Sequence, residues 1–283
     1  MQTLYDLPGL RAALEPMRGA GKLALVPTMG ALHDGHMALV EEARRRVGPG
    51  GHVAVSIFVN PRQFGPNEDL AAYPRREAAD ARMLLAAGVD ILWMPTAAVM
   101  YPAGFATNIA VGGISQGLDG AARPGHFDGV ATVVTKLLNQ VRPDVAIFGE
   151  KDYQQLAVIR RLVADLDMAI EIVGMPTQRA QDGLALSSRN AYLTDEERKA
   201  ALALPRALGE AARQIEKGAS VEAALAKAVA TLANHGFGPI DYVTLCDAAT
   251  LEPMTVLDRP ARLLGAAKLG TTRLIDNIAV DPA

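Results

Sequence analysis

The sequence contains a single cysteine, Cys246, and has neither a long hydrophobic run nor an excess of positive charge. One cysteine excludes an internal disulfide and a cluster of thiolate metal ligands. No run of 18 apolar residues occurs, so we expect no membrane-spanning helix. The first residues lack the continuous apolar core of a signal peptide, which predicts a reduced, cytoplasmic protein without a membrane partner. The formal net charge of −3 argues against a protein that coats nucleic acid.

Short apolar runs alternate with amphipathic segments over the first two thirds of the chain. The strand-like runs are KLALVPT, HVAVSIFV, VDILWMP, DVAIFG and AIEIVG, as compact as strands that are buried on both faces. Helical spacing of apolar residues occurs between them, as in DGHMALVEEARRRV, RREAADARMLLAAG and KDYQQLAVIRRLVADL. This alternation predicts an α/β fold, a Rossmann-like doubly wound parallel sheet with helices on both faces. We expect Pro27 to end the first of these strands.

The last third of the chain has a different pattern. A helix is predicted over TDEERKAALALPRALGEAARQIEKG, with Pro205 kinking or splitting it. A second helix is predicted over 220–235, and three later runs, IDYVTLCD, ARLLGAAKLG and TRLIDNIAV, suit a small antiparallel sheet. We therefore predict a Rossmann-like ligand-binding domain over 1–175 and a smaller α+β domain over 176–283.

Two histidines lie where the first predicted strand gives way to a helix, in VPTMGALHDGHMALVEEAR. Gly30 permits a tight turn, and the helix N-terminus offers N–H groups and partial positive charge that suit a phosphate. His33 and His36 are three residues apart, so both rings can face one side, and Gly35 leaves room for a base or ribose. One histidine alone would more simply be a cap or a core residue. The pair after a glycine turn favours a nucleotide site.

Neutral amides follow the second predicted strand, in FVNPRQFG. Asn60 and Gln63 suit a polyol or carboxylate that needs orientation rather than charge neutralisation. The alternative for Asn60 is an ordinary turn asparagine before proline.

Phosphate-binding chemistry is also predicted in IFGEKDYQQL and LALSSRN. Lys151 can bring an ammonium group to a phosphate, and Gly149 permits close backbone approach. Asp152 can contact Mg²⁺ or a ribose, or can simply cap the helix. The hydroxyl and guanidinium groups of 187–189 can donate to phosphate oxygens, although a plain turn is the alternative.

The H-x-G-H motif resembles the signature of the nucleotidylyltransferase superfamily, and PTMGALHDGH resembles that of the pantothenate synthetase (pantoate–β-alanine ligase) family. Similar segments follow in the same order, namely SIFVNPRQFGPNEDLAAYPR, RPGHFDGVATVVTKLLNQVRPDVAIFGEKDYQQL and DGLALSSRNAYL. The resemblance covers about 26–193. It implies ATP-dependent condensation of pantoate with β-alanine to pantothenate, a coenzyme A precursor, through pantoyl adenylate with release of pyrophosphate and AMP. It also implies Mg²⁺ and a homodimer.

The resemblance further implies roles for individual residues. The implied catalytic residues are His33, His36, Lys151 and Arg189. The implied pantoate and β-alanine residues are Gln63, Gln155, Asn60 and Arg123. The implied ATP contacts are Met29, Gly30, Ala31, Leu32, His33, Asp34, Gly35, His36, Gly149, Glu150, Lys151, Asp152, Gln178, Leu186, Ser187, Ser188 and Arg189, with Asp152 as a Mg²⁺ ligand. Three positions depart from the family pattern, namely Gln178, Ala180 and Leu186, and we expect position 178 to contact nucleotide through its backbone.

Several alternatives remain at the level of sequence. Arg123 is implied to hold phosphate or to close the site, whereas His126 can equally cap a helix, and Tyr73 can close over the site or pack in the core. We expect the C-terminal domain to act partly as a lid with a hinge near Met175 and Pro176, keeping water from the adenylate. The rival functions are another nucleotidylyltransferase acting on a phosphorylated acceptor and a silent ATP-binding regulator. A tRNA synthetase fits poorly because the net charge is negative.

Overall fold

The computed structural model describes residues 1–66 and 68–282, and the chain divides into two compact units. Unit 1 comprises Met1–Ser115, Arg123–Glu150 and Gln155–Pro176. Unit 2 comprises Gln116–Ala122, Lys151–Gln154 and Thr177–Ala283. Two short segments of the earlier chain thus group with the C-terminal residues, and one of them contains Lys151.

Unit 1 is built on a parallel sheet that has six strands in the described residues. The strands are β1 (Gln2–Leu4), β2 (Leu23–Thr28), β3 (His52–Ile57), β4 (Ile91–Trp93), β5 (Val145–Gly149) and β6 (Glu171–Met175). Their order in the sheet is β1-β4-β3-β2-β5-β6, so the winding reverses between β2 and β5. In open α/β sheets, ligands bind beyond the carboxyl ends of the strands at such a reversal.

Helices cover both faces of this sheet. The helices of unit 1 in the described chain are α1 (Leu7–Leu14), α2 (Asp34–Val47), α3 (Glu77–Ala86), α4 (Ala97–Met100), α6 (His126–Val141) and α7 (Tyr153–Asp165), while the short helix α5 (Asp119–Ala122) belongs to unit 2. One buried cluster contains residues of α1, α6 and α7, among them Leu10, Leu138 and Ile159. A second cluster contains residues of α2 and α3, among them Val40 and Leu84. The predicted doubly wound α/β architecture is confirmed.

Two details of the sheet differ from the sequence expectations. Pro27 does not end its strand, because β2 continues to Thr28. Pairing of β2 with β5 covers only Ala24 and Leu25, whereas pairing with β3 continues to Thr28. Pro27 therefore lies where β2 is paired on one side, a position that tolerates a missing N–H. The short edge strand β1 was not predicted, since three residues carry too little periodicity.

Unit 2 contains a three-stranded antiparallel sheet of order β7-β8-β9. Its elements are α8 (Asp195–Ala200), α9 (Ala203–Glu216), α10 (Val221–Asn234), β7 (Phe237–Asp247), β8 (Ala261–Leu269) and β9 (Thr272–Val280). Pro205 is the third residue of α9, where its missing N–H costs no helical bond; the predicted split of the long helical segment is therefore confirmed. A separate apolar core fills this unit. No helix of the described chain is long and apolar enough to cross a membrane.

Candidate active site

The two histidines form a reciprocal cap at the start of α2. His33 is the N-cap residue, and its Nδ1 accepts a hydrogen bond from the Gly35 N–H at 3.1 Å. The Nδ1 of His36 accepts in turn from the His33 N–H at 3.3 Å. The two ring centroids lie 4.0 Å apart, so the predicted placement of both imidazoles on one side is observed.

This capping fixes the tautomer of each neutral ring. Because both Nδ1 atoms accept hydrogen bonds, the proton of each neutral imidazole lies on Nε2. Each ring therefore carries its N–H donor on the nitrogen farther from the backbone. These donors lie beside the amino end of α2, beyond the carboxyl end of β2 at the reversal of the sheet. This is a ready arrangement for binding negatively charged phosphate oxygens.

The turn that precedes His33 is fixed by a buried carboxylate. Gly30 and Ala31 have positive φ angles of 80° and 49°. Asp80 of α3 is 1% exposed; its two oxygens accept from the Ala31 N–H at 2.8 Å and the Leu32 N–H at 2.9 Å. The sequence did not single out Asp80, because it lies 48 residues from Leu32 in an ordinary amphipathic segment.

Gln63 lies against the same turn. Its Nε2 donates to Met29 Sδ at 3.2 Å. Asn60 is 1% exposed, and its Nδ2 donates to Gln63 Oε1 and to Gly129 O, both at 3.0 Å. The Oδ1 of Asn60 accepts from Tyr101 OH at 2.8 Å. The amide of Asn60 is therefore engaged within the protein and orients the side chain of Gln63.

The side chains of Arg123 and His126 both contact the backbone carbonyl of Gln63. The Gln63 carbonyl lies 2.8 Å from His126 Nδ1 and accepts from Arg123 Nη2 at 3.3 Å. Arg123 also forms an ion pair with Glu68 at 2.6 Å. Burial opposes ionisation of Glu68, but the bonds and charge of Arg123 prevail and hold the pKa of this carboxyl below its ordinary value. Helix α6 has no side-chain N-cap, so the alternative of His126 as a helix cap is not observed.

Tyr73 packs inside unit 1. It is buried, and its ring meets that of Phe64 edge-on with the centroids 5.9 Å apart. The core-packing alternative is what the structure shows.

Two adjacent glutamines at the start of α7 differ in their partners. Gln154 is buried, donates to Gly117 O at 2.8 Å and accepts from the Asp119 N–H at 2.9 Å. Gln155 is partly exposed, and its side chain makes no hydrogen bond within the described part of the chain. Gln154 is therefore structural, whereas the amide of Gln155 is available to a ligand.

Unit 2 holds the predicted lysine by its backbone. The Lys151 carbonyl accepts from Asn277 Nδ2 at 2.9 Å. Its ammonium lies 3.9 Å from an Asp152 oxygen, and the Lys151 and Asp152 side chains are 19% and 51% exposed. At this distance the ion pair is loose, so the ammonium can bind an anion.

The Ser-Ser-Arg segment follows a hairpin in unit 2. The Leu186 N–H donates to Gln178 O at 2.9 Å, and Ser187 Oγ accepts from the Arg189 N–H at 3.2 Å. A bidentate pair between Arg179 and Asp276, at 2.7 and 2.9 Å, braces this hairpin against β9. That pair was not predicted, although an Asp-Asn step inside the apolar run TRLIDNIAV indicates a buried polar contact.

Comparison with known proteins shows the family of this chain. The sequence profile of the Pantoate-beta-alanine ligase family matches residues 2–279. The chain belongs to this family. Pantothenate synthetases of Rhizorhabdus wittichii and Sphingopyxis alaskensis are 67% and 57% identical to it, over 100% and 99% of this chain and 100% of each relative.

Solved structures of the Pantoate-beta-alanine ligase family share the fold. Pantothenate synthetase of Thermus thermophilus has a TM-score of 0.93 at 48% identity, over 100% of both chains. The Francisella tularensis enzyme, solved in complex with beta-gamma ATP and beta-alanine, has a TM-score of 0.82 at 35% identity, over 98% of this chain and 97% of its own. The expected family and its pantoate–β-alanine ligase activity are thereby confirmed.

Proposed function

We propose that the condensation of pantoate with β-alanine by this chain proceeds in two steps, with ATP as the activating substrate and pantoyl adenylate as the intermediate. The observation that carries the proposal is the paired His33 and His36 rings at the amino end of α2, with Gln63 against the same turn. The proposed phosphate donors therefore lie near a side-chain amide that can orient a hydroxy acid, within one unit. An acid-activating enzyme needs both.

In the first step, a pantoate carboxylate oxygen bonds to the α-phosphorus of ATP. The bond from that phosphorus to the bridging oxygen breaks, and pyrophosphate leaves with the electron pair. In the second step, the amine of β-alanine attacks the acyl carbon, the bond to the AMP oxygen breaks, and the amine loses a proton. Positioning and charge stabilisation dominate such chemistry.

In this proposal the phosphate roles fall to the histidine pair, to backbone groups and to several polar side chains. His33 and His36 donate from Nε2 to phosphate oxygens. The backbone of Met29–His36 and of Gly149 and Glu150 contacts the nucleotide. Lys151 supplies a mobile ammonium and Arg189 a guanidinium. The remaining ATP contacts in this proposal are Asp152, Gln178, Leu186, Ser187 and Ser188, with Gln178 acting through its backbone.

The acid is oriented by Gln63 and Gln155. Gln155 is partly exposed, and its amide has no partner in the described chain. Asn60 and Arg123 belong to this group through Gln63, the first by holding its side chain and the second by holding its carbonyl.

Mg²⁺ would bind to this chain together with the nucleotide. Within 1–66 and 68–282, no group of three or more His, Cys, Asp or Glu side chains is arranged to hold a metal. The half-exposed carboxylate of Asp152 would be a suitable single protein ligand. When bound, the ion neutralises charge on the phosphates.

We also propose that unit 2 acts as a lid hinged near Met175 and Pro176, which keeps water from the adenylate. The proposal is supported by the reactivity of the mixed anhydride toward water. Small-angle X-ray scattering with and without ATP and pantoate tests it. A smaller radius of gyration with both ligands is expected, and an unchanged radius contradicts the lid.

A cytoplasmic homodimer completes the proposal. Residues 106–112 lie outside helices and strands, and in the described chain their backbone groups bond only to the hydroxyls of Thr132 and Ser115. Unpaired backbone of this kind suits pairing with a second copy. Light scattering tests this, with a mass of twice 29.9 kDa expected and the monomer mass contradicting it.

The substrate dependence of AMP release tests the overall reaction. The chain should release AMP only when ATP, pantoate and β-alanine are all present, with one pantothenate formed for each AMP. Release of pyrophosphate with a stable nucleotidyl product and no AMP would instead indicate transfer to an acceptor.

A further inference from the structure

Asp80 is a buried carboxylate whose contacts are concentrated on one turn. It is 1% exposed, and in the described chain no lysine, arginine or histidine forms an ion pair with it. Its oxygens accept from the consecutive N–H groups of Ala31 and Leu32 at 2.8 and 2.9 Å. Burying an unpaired carboxylate costs free energy that backbone bonds must offset.

The turn itself has a conformation that its own residues do not favour. Gly30 and Ala31 both have positive φ, and for alanine this region is strained. Two successive N–H groups in such a turn form a concave anion site, which here the Asp80 carboxylate fills. The approach is close, since a Cβ on Gly30 would lie 3.0 Å from Ile57 Cγ2 and 3.1 Å from Asp80 Oδ2.

His33 follows this turn directly. Its N–H is bound by His36 and its ring caps α2, so the positions of both rings depend on where the chain leaves Leu32. A displacement of about 1 Å in a catalytic group can lower a rate by about 100-fold. A carboxylate that fixes Ala31 and Leu32 therefore sets the position of both Nε2 donors.

We infer that Asp80 is a positioning residue for adenylate formation, acting through the His33–His36 pair. This inference rests on the proposed function, because it takes the two imidazoles to contact the phosphates of ATP. Asp80 itself touches neither substrate in this account.

The test compares Asp80→Asn with Leu84→Ala in pantoate-dependent exchange of pyrophosphate into ATP. Asparagine has nearly the same shape but offers one acceptor oxygen, and its amide N–H₂ then faces a backbone N–H. Leu84 is a buried residue of the same helix that controls for lost stability. Asp80→Asn should lower kcat for exchange by at least about 10-fold with a smaller change in KM for ATP. Leu84→Ala should lower Tm and keep kcat, assayed well below its Tm.

Two further readouts separate positioning from general stability. In nitrogen NMR spectra of the free protein, Asp80→Asn should shift the ring resonances of His33 and His36, whereas Leu84→Ala should leave them in place. The double variant Asp80→Asn/His33→Ala should lose less activity than the product of the single losses. Asp80→Glu, which keeps the carboxylate one methylene further out, is the second variant if asparagine prevents folding, and it should also lower kcat.

The possible results distinguish a failure of the positioning role of Asp80 from a failure of the proposed function. Wild-type kcat and unchanged ring resonances in Asp80→Asn, or losses that multiply fully with His33→Ala, would overturn the positioning role. Retained exchange in both His33→Ala and His36→Ala would instead overturn the proposed function.

Discussion

Replacing His36 by asparagine separates two contributions of its ring that alanine removes together. The Nδ1 atom accepts from the His33 N–H at 3.3 Å, and Nε2 carries the proposed phosphate donor. The Oδ1 of asparagine can occupy the place of Nδ1 and retain the cap, but its side chain is too short to reach the position of Nε2. Alanine loses both groups.

The expected magnitudes follow from these two losses. Removing a preorganised donor costs about 3 kcal/mol in the transition state, or about 100-fold or more in rate. Removing the cap costs about 1 kcal/mol of stability, which lowers Tm by about 2–4 °C for a domain of this size. Both variants should therefore lose adenylate formation alike, while Tm should fall further for alanine than for asparagine.

The rate of adenylate formation is measured in a single turnover: ATP and pantoate are mixed with the enzyme, β-alanine is then added, and the AMP released is determined. Calorimetry measures Tm. A wild-type rate in His36→Asn together with a slow His36→Ala would refute the reasoning, because the cap and not the donor would then matter. Near-normal adenylate formation in both variants would remove His36 from the phosphate site.

Three other perturbations test other parts of the account. Gln63→Ala should raise KM for pantoate more than KM for ATP in steady-state assays, and equal increases would contradict its assignment to the acid. Arg179→Ala leaves the nearly buried carboxylate of Asp276 without its ion pair and should lower the free energy of unfolding, measured in urea, by about 3 kcal/mol. As a control, Arg213→Ala removes an exposed arginine and should change this free energy by less than about 1 kcal/mol. Equal effects of the two substitutions would count against a stabilising role of the Arg179–Asp276 pair. Because the pKa of Glu68 is lowered on folding from a reference value of 4.5, its ion pair stabilises the protein above that value, and the stabilisation is lost as the pH falls through the lower folded pKa. The difference in unfolding free energy between the wild type and Glu68→Gln should therefore shrink in acid, and a constant difference would show that the ion pair is not its source.

Much of the fold was predictable because each signal was local. The strand β2, the glycine turn and α2 follow from an apolar run, a turn residue and helical spacing within one stretch, 22–47. The same holds for the split at Pro205, where one residue lacks an N–H. The three-residue strand β1 escaped because its sequence has almost no period to detect.

The site was predictable residue by residue where a motif carried it, but not in its supporting contacts. His33 and His36 stand out as a spaced pair, whereas Asp80 and Asn277 act on backbone atoms 48 and 126 residues away. Such contacts depend on how the helices and strands pack, and no local pattern encodes them. The hydrogen bond between Tyr101 and Asn60 likewise became visible only with the end of α4 in place, since Tyr101 follows that helix directly.

Exchange of labelled pyrophosphate into ATP in the absence of β-alanine tests the central claim most directly. We expect exchange that requires pantoate, because the adenylate forms reversibly before the amine is needed. Exchange without pantoate, or exchange that appears only when β-alanine is added, would contradict an adenylate formed from pantoate at the His33–His36 site.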